Sequence, residues 1–146
     1  MNRLLGKRVY LDSSVFIYFL QQDPQRFAVA AELVDAAHRG RFAAVTGDAV
    51  VAEVMVLPYR SADTEMIERV RAFFDTPRLF DIRTHRAPDF DAAARLRGER
   101  RISMMDALHL ATAVNSSCEY FVTNDSRIPD IEGVAIVRLS DLVSGE

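Results

Sequence analysis

The chain contains 146 residues, of which 49% are hydrophobic and 27% charged, and its formal net charge is -3. This size fits one globular domain over residues 1–146 with its own core, and the acidic balance gives no general attraction for nucleic acid. The single cysteine, Cys118, excludes an intramolecular disulfide framework, and Asp12 interrupts the apolar N-terminal run, so we expect a cytoplasmic protein without a signal peptide or membrane helix.

Predicted strands and helices alternate along the first half of the chain. Residues 9–11 have the β-branched and aromatic character of a buried strand, and the serines after Asp12 open an apolar helical run. Asp48 is a candidate N-cap, and Pro58 should end or kink its helix. The predicted elements are a strand at 9–12, helices at 14–21 and 25–39, a strand at 42–46, and helices at 49–57 and 62–74.

The second half continues the alternation with shorter elements. The predicted elements are a weak strand at 79–82, helices at 88–97 and 103–114, a strand at 120–123, a loop at 124–129 and a strand at 134–138. Strands that alternate with helices of this length are typical of parallel sheets. The sequence therefore predicts an α/β sandwich with a mostly parallel sheet.

Four carboxylates occur in otherwise apolar settings. Asp12 follows the first strand, Glu53 lies inside an apolar helix, Asp106 lies in the first turn of a helix, and Asp125 closely follows the strand at 120–123. The loops that follow parallel strands emerge at one edge of a sheet, where helix N-termini also lie. We therefore expect these four acids to converge, with the placement of Glu53 the least fixed.

A pocket with four carboxylates would need positive charge, because each acid would otherwise tend to take up a proton. Oxygen ligands suit hard divalent cations such as Mg2+ or Mn2+. Such ions can activate water and stabilise the leaving oxygen when a phosphodiester is cleaved. The implied reaction is metal-assisted hydrolysis.

Three of the acids also have purely structural interpretations. Ser103 and Asp106 have the spacing of a capping box. Asp12 could be an N-cap or half of a buried ion pair, and Asn124 with Asp125 could simply form a turn. At this stage both interpretations stay open for each acid.

Glu53 is harder to explain structurally, because its neighbours are apolar and no basic residue lies one helical turn away.

His109, one turn after Asp106, is interpreted as a half-buried histidine hydrogen-bonded to backbone in preference to a general base or a ligand. Cys118 is interpreted as a core or near-surface residue. Neither a serine–histidine–acid frame nor a glycine-rich phosphate loop is present, so covalent catalysis and nucleotide cradling have no support.

A short basic run follows the helix predicted at 88–97. Its four arginines are candidate RNA contacts that could form a local phosphate-binding rim, namely Arg95, Arg97, Arg100 and Arg101. A solvated loop explains the run equally well.

Four motifs follow one another along the chain: V-Y-L-D-S-S-V-F-I-Y, V-V-A-E-V, S-M-M-D-A-L-H-L-A-T-A and F-V-T-N-D. Together they resemble the PIN-domain nucleases over residues 9–137, and especially the VapC-like toxins of toxin-antitoxin pairs. The resemblance implies a three-layer α/β/α domain with a central parallel sheet and an acidic Mg2+ or Mn2+ site. It places the ligands on Asp12, Glu53, Asp106 and Asp125. It places supporting or water-binding groups on Ser13, Thr123 and Asn124.

The resemblance implies a metal-dependent ribonuclease, a toxin that forms a homodimer and is neutralised by a small antitoxin protein. Two departures from the family pattern stand out: Gly47 and Asp48 occupy positions that often carry serine or threonine, and Ile128 replaces an aromatic residue. Neither departure changes a predicted ligand.

Two apolar faces are candidate surfaces for these partners, although core packing explains them equally well. The first face comprises Val15, Phe16 and Phe19, and the second comprises Met66, Val70 and Phe73.

Three alternative functions remain. A phosphatase with an aspartate nucleophile would typically carry a second aspartate two residues after Asp12, where this chain has Ser14. A non-enzymatic binding module would use the acids as caps and ion pairs. A PIN domain in RNA processing outside a toxin pair would keep the chemistry and change the partner.

Overall fold

The computed structural model describes residues 1–143 and is built around one five-stranded sheet. All neighbouring strands are parallel, and their order across the sheet is β3-β2-β1-β4-β5. The strands are β1 (Arg8–Leu11), β2 (Ala43–Gly47), β3 (Asp81–Arg83), β4 (Tyr120–Thr123) and β5 (Ala135–Arg138). The predicted α/β class is therefore confirmed, with a sheet that is parallel throughout.

Helices flank this sheet, and six of them correspond to predicted helices. The helices are α1 (Ser13–Leu20), α2 (Phe27–His38), α3 (Asp48–Arg60), α4 (Thr64–Phe74), α5 (Ala87–Glu99), α6 (Met104–Asn115) and α7 (Leu139–Val143). The short α7 and a 3-10 helix at Asn2–Leu4 were not predicted, because both are too short to show a helical period. Within residues 1–143, no helix combines the length and the apolar character needed to cross a bilayer.

The start and the end of α3 both differ from prediction. Gly47 is the N-cap and Asp48 lies in the first turn, so the predicted capping role of Asp48 is wrong. The helix also continues through Pro58 to Arg60. Proline removes a single intrahelical hydrogen bond at this late position, and the Ser61 N–H still bonds to the Leu57 carbonyl to close the last turn.

The two apolar faces proposed as partner surfaces pack against each other in the core. Phe16 is fully buried and contacts Phe73 and Phe74 edge to face, with ring centroids 6.0 and 5.0 Å apart. Phe19 contacts Phe73 at 5.4 Å, and Val70 is buried in the same cluster. Core packing therefore explains Val15, Phe16 and Val70, which are buried, whereas Phe19, Met66 and Phe73 remain partly exposed.

The order of the strands creates a switch point at the centre of the sheet. From β1 the chain moves outward through β2 to β3, then returns to the other side of β1 with β4 and β5. Ligands of open parallel sheets bind outside the carboxyl ends of the strands at such a point. Asp12 follows β1 and Asp125 lies two residues beyond β4, so both flank this crevice.

Candidate active site

Asp12 is a buried carboxylate at the junction of β1 and α1. Its Oδ1 accepts a hydrogen bond from the Ser13 N–H at 2.7 Å, and its Oδ2 accepts one from the Thr123 hydroxyl at 2.7 Å. Its relative exposure is only 6%, and this burial raises the pKa of the carboxyl despite the hydrogen bond from Thr123. The N-cap interpretation is therefore correct, while within residues 1–143 no lysine or arginine pairs with Asp12.

Thr123 and Asn124 tie the end of β4 to the start of α1. The Thr123 hydroxyl that donates to Asp12 also accepts the Asp125 N–H at 3.0 Å. The Asn124 N–H donates to the Ser14 hydroxyl at 3.1 Å. A single threonine hydroxyl thus fixes Asp12 relative to Asp125 across the switch point.

Asp106 and Asp125 keep local structural roles and still face the crevice. Ser103 caps α6, and its hydroxyl accepts the Asp106 N–H at 3.1 Å, but the Asp106 carboxylate makes no hydrogen bond within residues 1–143. Asp125 Oδ1 accepts the Arg127 N–H at 2.9 Å in a turn. The Arg127 guanidinium also bonds to both oxygens of Asp125, which lowers the pKa of that carboxyl.

Glu53 is held by a buried histidine from another helix. His109 is only 1% exposed, and its Nε2 lies 2.5 Å from Glu53 Oε1. Its Nδ1 lies 3.1 Å from the Tyr10 hydroxyl. Burial raises the pKa of Tyr10, so its hydroxyl stays protonated and is able to donate to Nδ1. Nε2 then carries the hydrogen that the Glu53 carboxylate accepts.

His109 was predicted to be half-buried and hydrogen-bonded to backbone. Both parts of this prediction are wrong, because the ring is buried and its nitrogens bond to the side chains of Tyr10 and Glu53. Its ligand-type nitrogen lies within 4.8 Å of oxygens of Asp12 and Glu53. The only hint in the sequence was the pair of leucines that flank His109, which indicates burial. Its two partners, on β1 and α3, are far away along the chain.

The four predicted acids all line one cavity of about 250 Å³. Its lining residues are Asp12, Ser13, Ser14, Ile17, Tyr18, Glu53, Asp106, Asp125 and Arg127. Four carboxylates therefore face one guanidinium, and the most buried carboxylate is disfavoured in its ionised form. Oxygen donors with an uncompensated negative charge fit a hard divalent cation. We refer to this space as the acidic cavity.

The basic run lies elsewhere. All four arginines are exposed, and Arg95 forms an ion pair with Asp91 at 3.5 Å. Arg95 and Arg100 line a separate cavity of about 580 Å³ that shares no lining residue with the acidic cavity. The arginine at the acidic cavity is Arg127, which sequence reasoning missed, although its position two residues after Asp125 suits a side chain that folds back on a turn.

The structure also explains why position 47 is glycine. A Cβ at Gly47 would lie 2.6 Å from the His85 ring and 2.9 Å from the Tyr10 hydroxyl. His85 is anchored there because its Nε2 accepts the Ala49 N–H at 3.2 Å and its Nδ1 lies 2.7 Å from the Thr112 hydroxyl. Burial lowers the pKa of His85, consistent with this neutral, doubly bonded ring.

We expect Gly47→Ala to destabilise the chain by roughly 2 kcal/mol, because the new methyl group must displace one of two anchored side chains. Adding His85→Ala should make room, so the double variant should recover about 1 kcal/mol relative to additivity. Urea unfolding of the four proteins measures this coupling. Gly98→Ala is a matched control, because a Cβ there meets nothing within 4 Å. Equal stability of Gly47→Ala and Gly98→Ala would contradict the prediction.

Comparisons with known proteins agree with this architecture. A family model described as PIN domain matches residues 9–134. The fold is similar to a toxin-antitoxin complex from Klebsiella pneumoniae, with a TM-score of 0.71 and 20% identity over 90% of this chain and 97% of that chain. It is also similar to VapC20 from Mycobacterium tuberculosis, described as a sarcin-ricin loop cleaving toxin, with a TM-score of 0.67 and 16% identity over 82% and 92%.

A third similar structure is VapBC2 from Rickettsia felis bound to a DNA fragment from its promoter. Its TM-score is 0.64, with 19% identity over 90% of this chain and 98% of that chain. At these identities the likenesses establish the fold. No curated protein sequence matches the chain.

Proposed function

The chain belongs to the PIN-domain family, and from that premise we propose that it is a Mg2+- or Mn2+-dependent endoribonuclease, the toxin of a toxin-antitoxin pair. The observation that carries the proposal is the acidic cavity, in which four carboxylates converge at the switch point of a parallel sheet. Such a concentration of negative charge in a crevice is costly unless the site binds cations.

In this proposal Asp12, Glu53, Asp106 and Asp125 hold the cation. A bound Mg2+ or Mn2+ would supply positive charge to the scissile phosphodiester and lower the pKa of the attacking water. Thr123 keeps Asp12 in place through its hydroxyl, and Asn124 keeps α1 against β4 through Ser14.

The side chains of Glu53 and Asp106 are held in different ways. Glu53 is bonded to His109, whereas the Asp106 carboxylate has no hydrogen-bond partner within residues 1–143. We propose that Asp106 is free to orient the water, because a carboxylate without a fixed partner can turn toward it.

We propose RNA as the substrate. One protein of similar fold is described as a toxin that cleaves the sarcin-ricin loop, which favours this class of substrate. The exposed arginines at positions 95, 97, 100 and 101 are proposed contacts to phosphates away from the cut, since they lie outside the acidic cavity.

The direct test incubates the purified full chain with total RNA in Mg2+, in Mn2+ and in EDTA, and maps the new ends. We expect discrete cuts that require the divalent cation. Single-stranded DNA treated in parallel is the control for substrate class. Absence of cleavage in both cations, or undiminished cleavage in EDTA, would contradict the proposal.

We further propose that the chain acts in the cytoplasm as a homodimer and is neutralised by a small antitoxin protein. Two proteins of similar fold are described as toxin-antitoxin or VapBC assemblies. The buried residues Val15, Phe16 and Val70 are not available for this contact, because they pack in the core. Light scattering after size exclusion measures the assembly, and a monomer at micromolar concentration would contradict the dimer.

A further inference from the structure

Arg127 is the one cation among the residues that line the acidic cavity. Its Nε lies 3.0 Å from Asp125 Oδ1 and its Nη2 lies 2.8 Å from Asp125 Oδ2, so the guanidinium covers both carboxylate oxygens. The charge of Asp106 also acts on Arg127. The guanidinium therefore competes with a divalent cation for Asp125, because both are attracted to the same two oxygens.

The two partners of this ion pair are not equally fixed. Asp125 is held through its backbone, because its N–H donates to the Thr123 hydroxyl and its carbonyl accepts a hydrogen bond from Arg138. The side chain of Arg127 is 84% exposed, and within residues 1–143 its guanidinium bonds to Asp125 alone. The guanidinium can therefore leave without disturbing the fold, whereas the carboxylate must stay.

Breaking the Arg127–Asp125 ion pair also costs little free energy. The Arg127 partner of this ion pair is largely exposed, so the pair contributes little to stability, because water screens the guanidinium and because ordering a long side chain has an entropic cost. A divalent cation that binds several carboxylates at once gains far more from Asp125 than one guanidinium does. Once displaced, Arg127 remains at the rim of the cavity, where its planar donors match the oxygens of a phosphate.

We propose that Arg127 is the phosphate-binding residue of the acidic cavity: it rests on Asp125 in the metal-free chain and transfers to the RNA phosphate when a divalent cation takes that carboxylate. The inference rests on the proposed function. It assigns Arg127 two effects of opposite sign, since the side chain competes with the cation and assists the nucleic acid. A purely structural ion pair would compete with the cation and would not assist the nucleic acid.

The first experiment measures the cation alone, without RNA. The midpoint of thermal unfolding is followed as Mn2+ is added to the full chain and to Arg127→Gln, which keeps the length of the side chain and removes its charge. We expect the half-saturating Mn2+ concentration to fall by up to about fivefold in Arg127→Gln, the range set by exposed ion pairs. Arg39→Gln is the matched control, because Arg39 forms an exposed ion pair with Asp35 at 2.8 Å, away from the cavity. An unchanged Mn2+ midpoint in Arg127→Gln would overturn the proposal.

The second experiment measures phosphate binding. Fluorescence anisotropy with a labelled oligothymidylate in saturating Mn2+ probes the phosphodiester backbone without requiring cleavage. We expect Arg127→Gln to weaken binding by about tenfold. The affinity of Arg127→Lys should lie between those of Arg127→Gln and the wild type, since lysine keeps the charge and loses the bidentate guanidinium donors. Binding equal to that of Arg39→Gln would overturn the phosphate role.

These measurements separate the inference from the proposed function. If the wild-type chain fails to cut RNA while Arg127→Gln tightens Mn2+ binding and weakens oligothymidylate binding, the ribonuclease proposal fails and the role of Arg127 stands. If the wild-type chain cuts RNA and Arg127→Gln changes neither binding constant, the ribonuclease stands and the inference fails.

Discussion

Asp12→Asn is expected to lower cation-dependent RNA cleavage by roughly 100-fold or more, which corresponds to the loss of about 3 kcal/mol of transition-state stabilisation. The substitution removes the most buried negative charge of the acidic cavity and keeps the shape of the side chain. An asparagine oxygen can still accept the Ser13 N–H, and its amide can donate to the Thr123 hydroxyl. The N-cap of α1 therefore survives, and a cooperative melting curve of the variant is the check that lost activity does not come from misfolding.

The same variant should be more stable than the wild type when no cation is present. Burial raises the pKa of Asp12, which means that the fold disfavours the ionised carboxyl. A neutral isostere removes that cost, for which we expect about 1 kcal/mol, or roughly 2–4 °C in melting temperature. Melting curves in EDTA and in Mn2+ test both statements, because Mn2+ should stabilise the wild type much more than the variant.

Asp91→Asn is the control for this pair of measurements, since Asp91 is exposed on α5. It should leave cleavage and the Mn2+ response unchanged. Full cation-dependent cleavage by Asp12→Asn would remove Asp12 from the mechanism. A lower melting temperature in EDTA would show that its charge stabilises the fold.

The fold was predictable because hydrophobic periodicity and the alternation of element types are local properties of the chain. All five predicted strands occur in the sheet, and β4 has the predicted bounds. The edges of helices were less predictable, as α3 shows. There, the N-cap Gly47 lies close to His85, and His85, a residue from another part of the chain, accepts the Ala49 N–H in place of a capping side chain.

The candidate site was partly predictable for a topological reason. Acids that follow parallel strands share one edge, and the strand order places the ends of β1 and β4 side by side at the switch point. The sequence could therefore bring Asp12 and Asp125 together. It could not reveal the pairing of Glu53 with His109, because that contact depends on how α3 and α6 pack.

The arginines show the same limit. A run of basic residues is visible in the sequence, but its distance from the acidic cavity depends on the direction in which α5 leaves the sheet. The structure places Arg95 and Arg100 on another cavity and Arg127 on the acidic one. A run of arginines in the sequence therefore predicted the cationic residue of the acidic cavity less well than the position of a single arginine just after a strand end.

His109→Ala is expected to destabilise the chain by roughly 2–4 kcal/mol and to lower cleavage by about 10- to 100-fold. The stability loss has two sources: a cavity in a fully buried position, and a Tyr10 hydroxyl left without its acceptor. The activity loss has a different source, because Glu53 is no longer held by Nε2. His109 thus acts as a positioning residue, and activity must be measured well below the melting temperature of the variant.

Two further variants separate positioning from packing. Tyr10→Phe removes the distant hydrogen bond but keeps the imidazole, so it should cost about 1 kcal/mol and leave most of the cleavage. His109→Gln retains an amide that can donate to Glu53, so it should restore part of the Mn2+ response that His109→Ala loses. The Mn2+ concentration that gives half-maximal stabilisation is the decisive measurement, because a packing defect alone lowers stability without changing cation affinity. If folded His109→Ala binds Mn2+ and cuts RNA like the wild type, His109 is only a core residue and Glu53 holds its position without it.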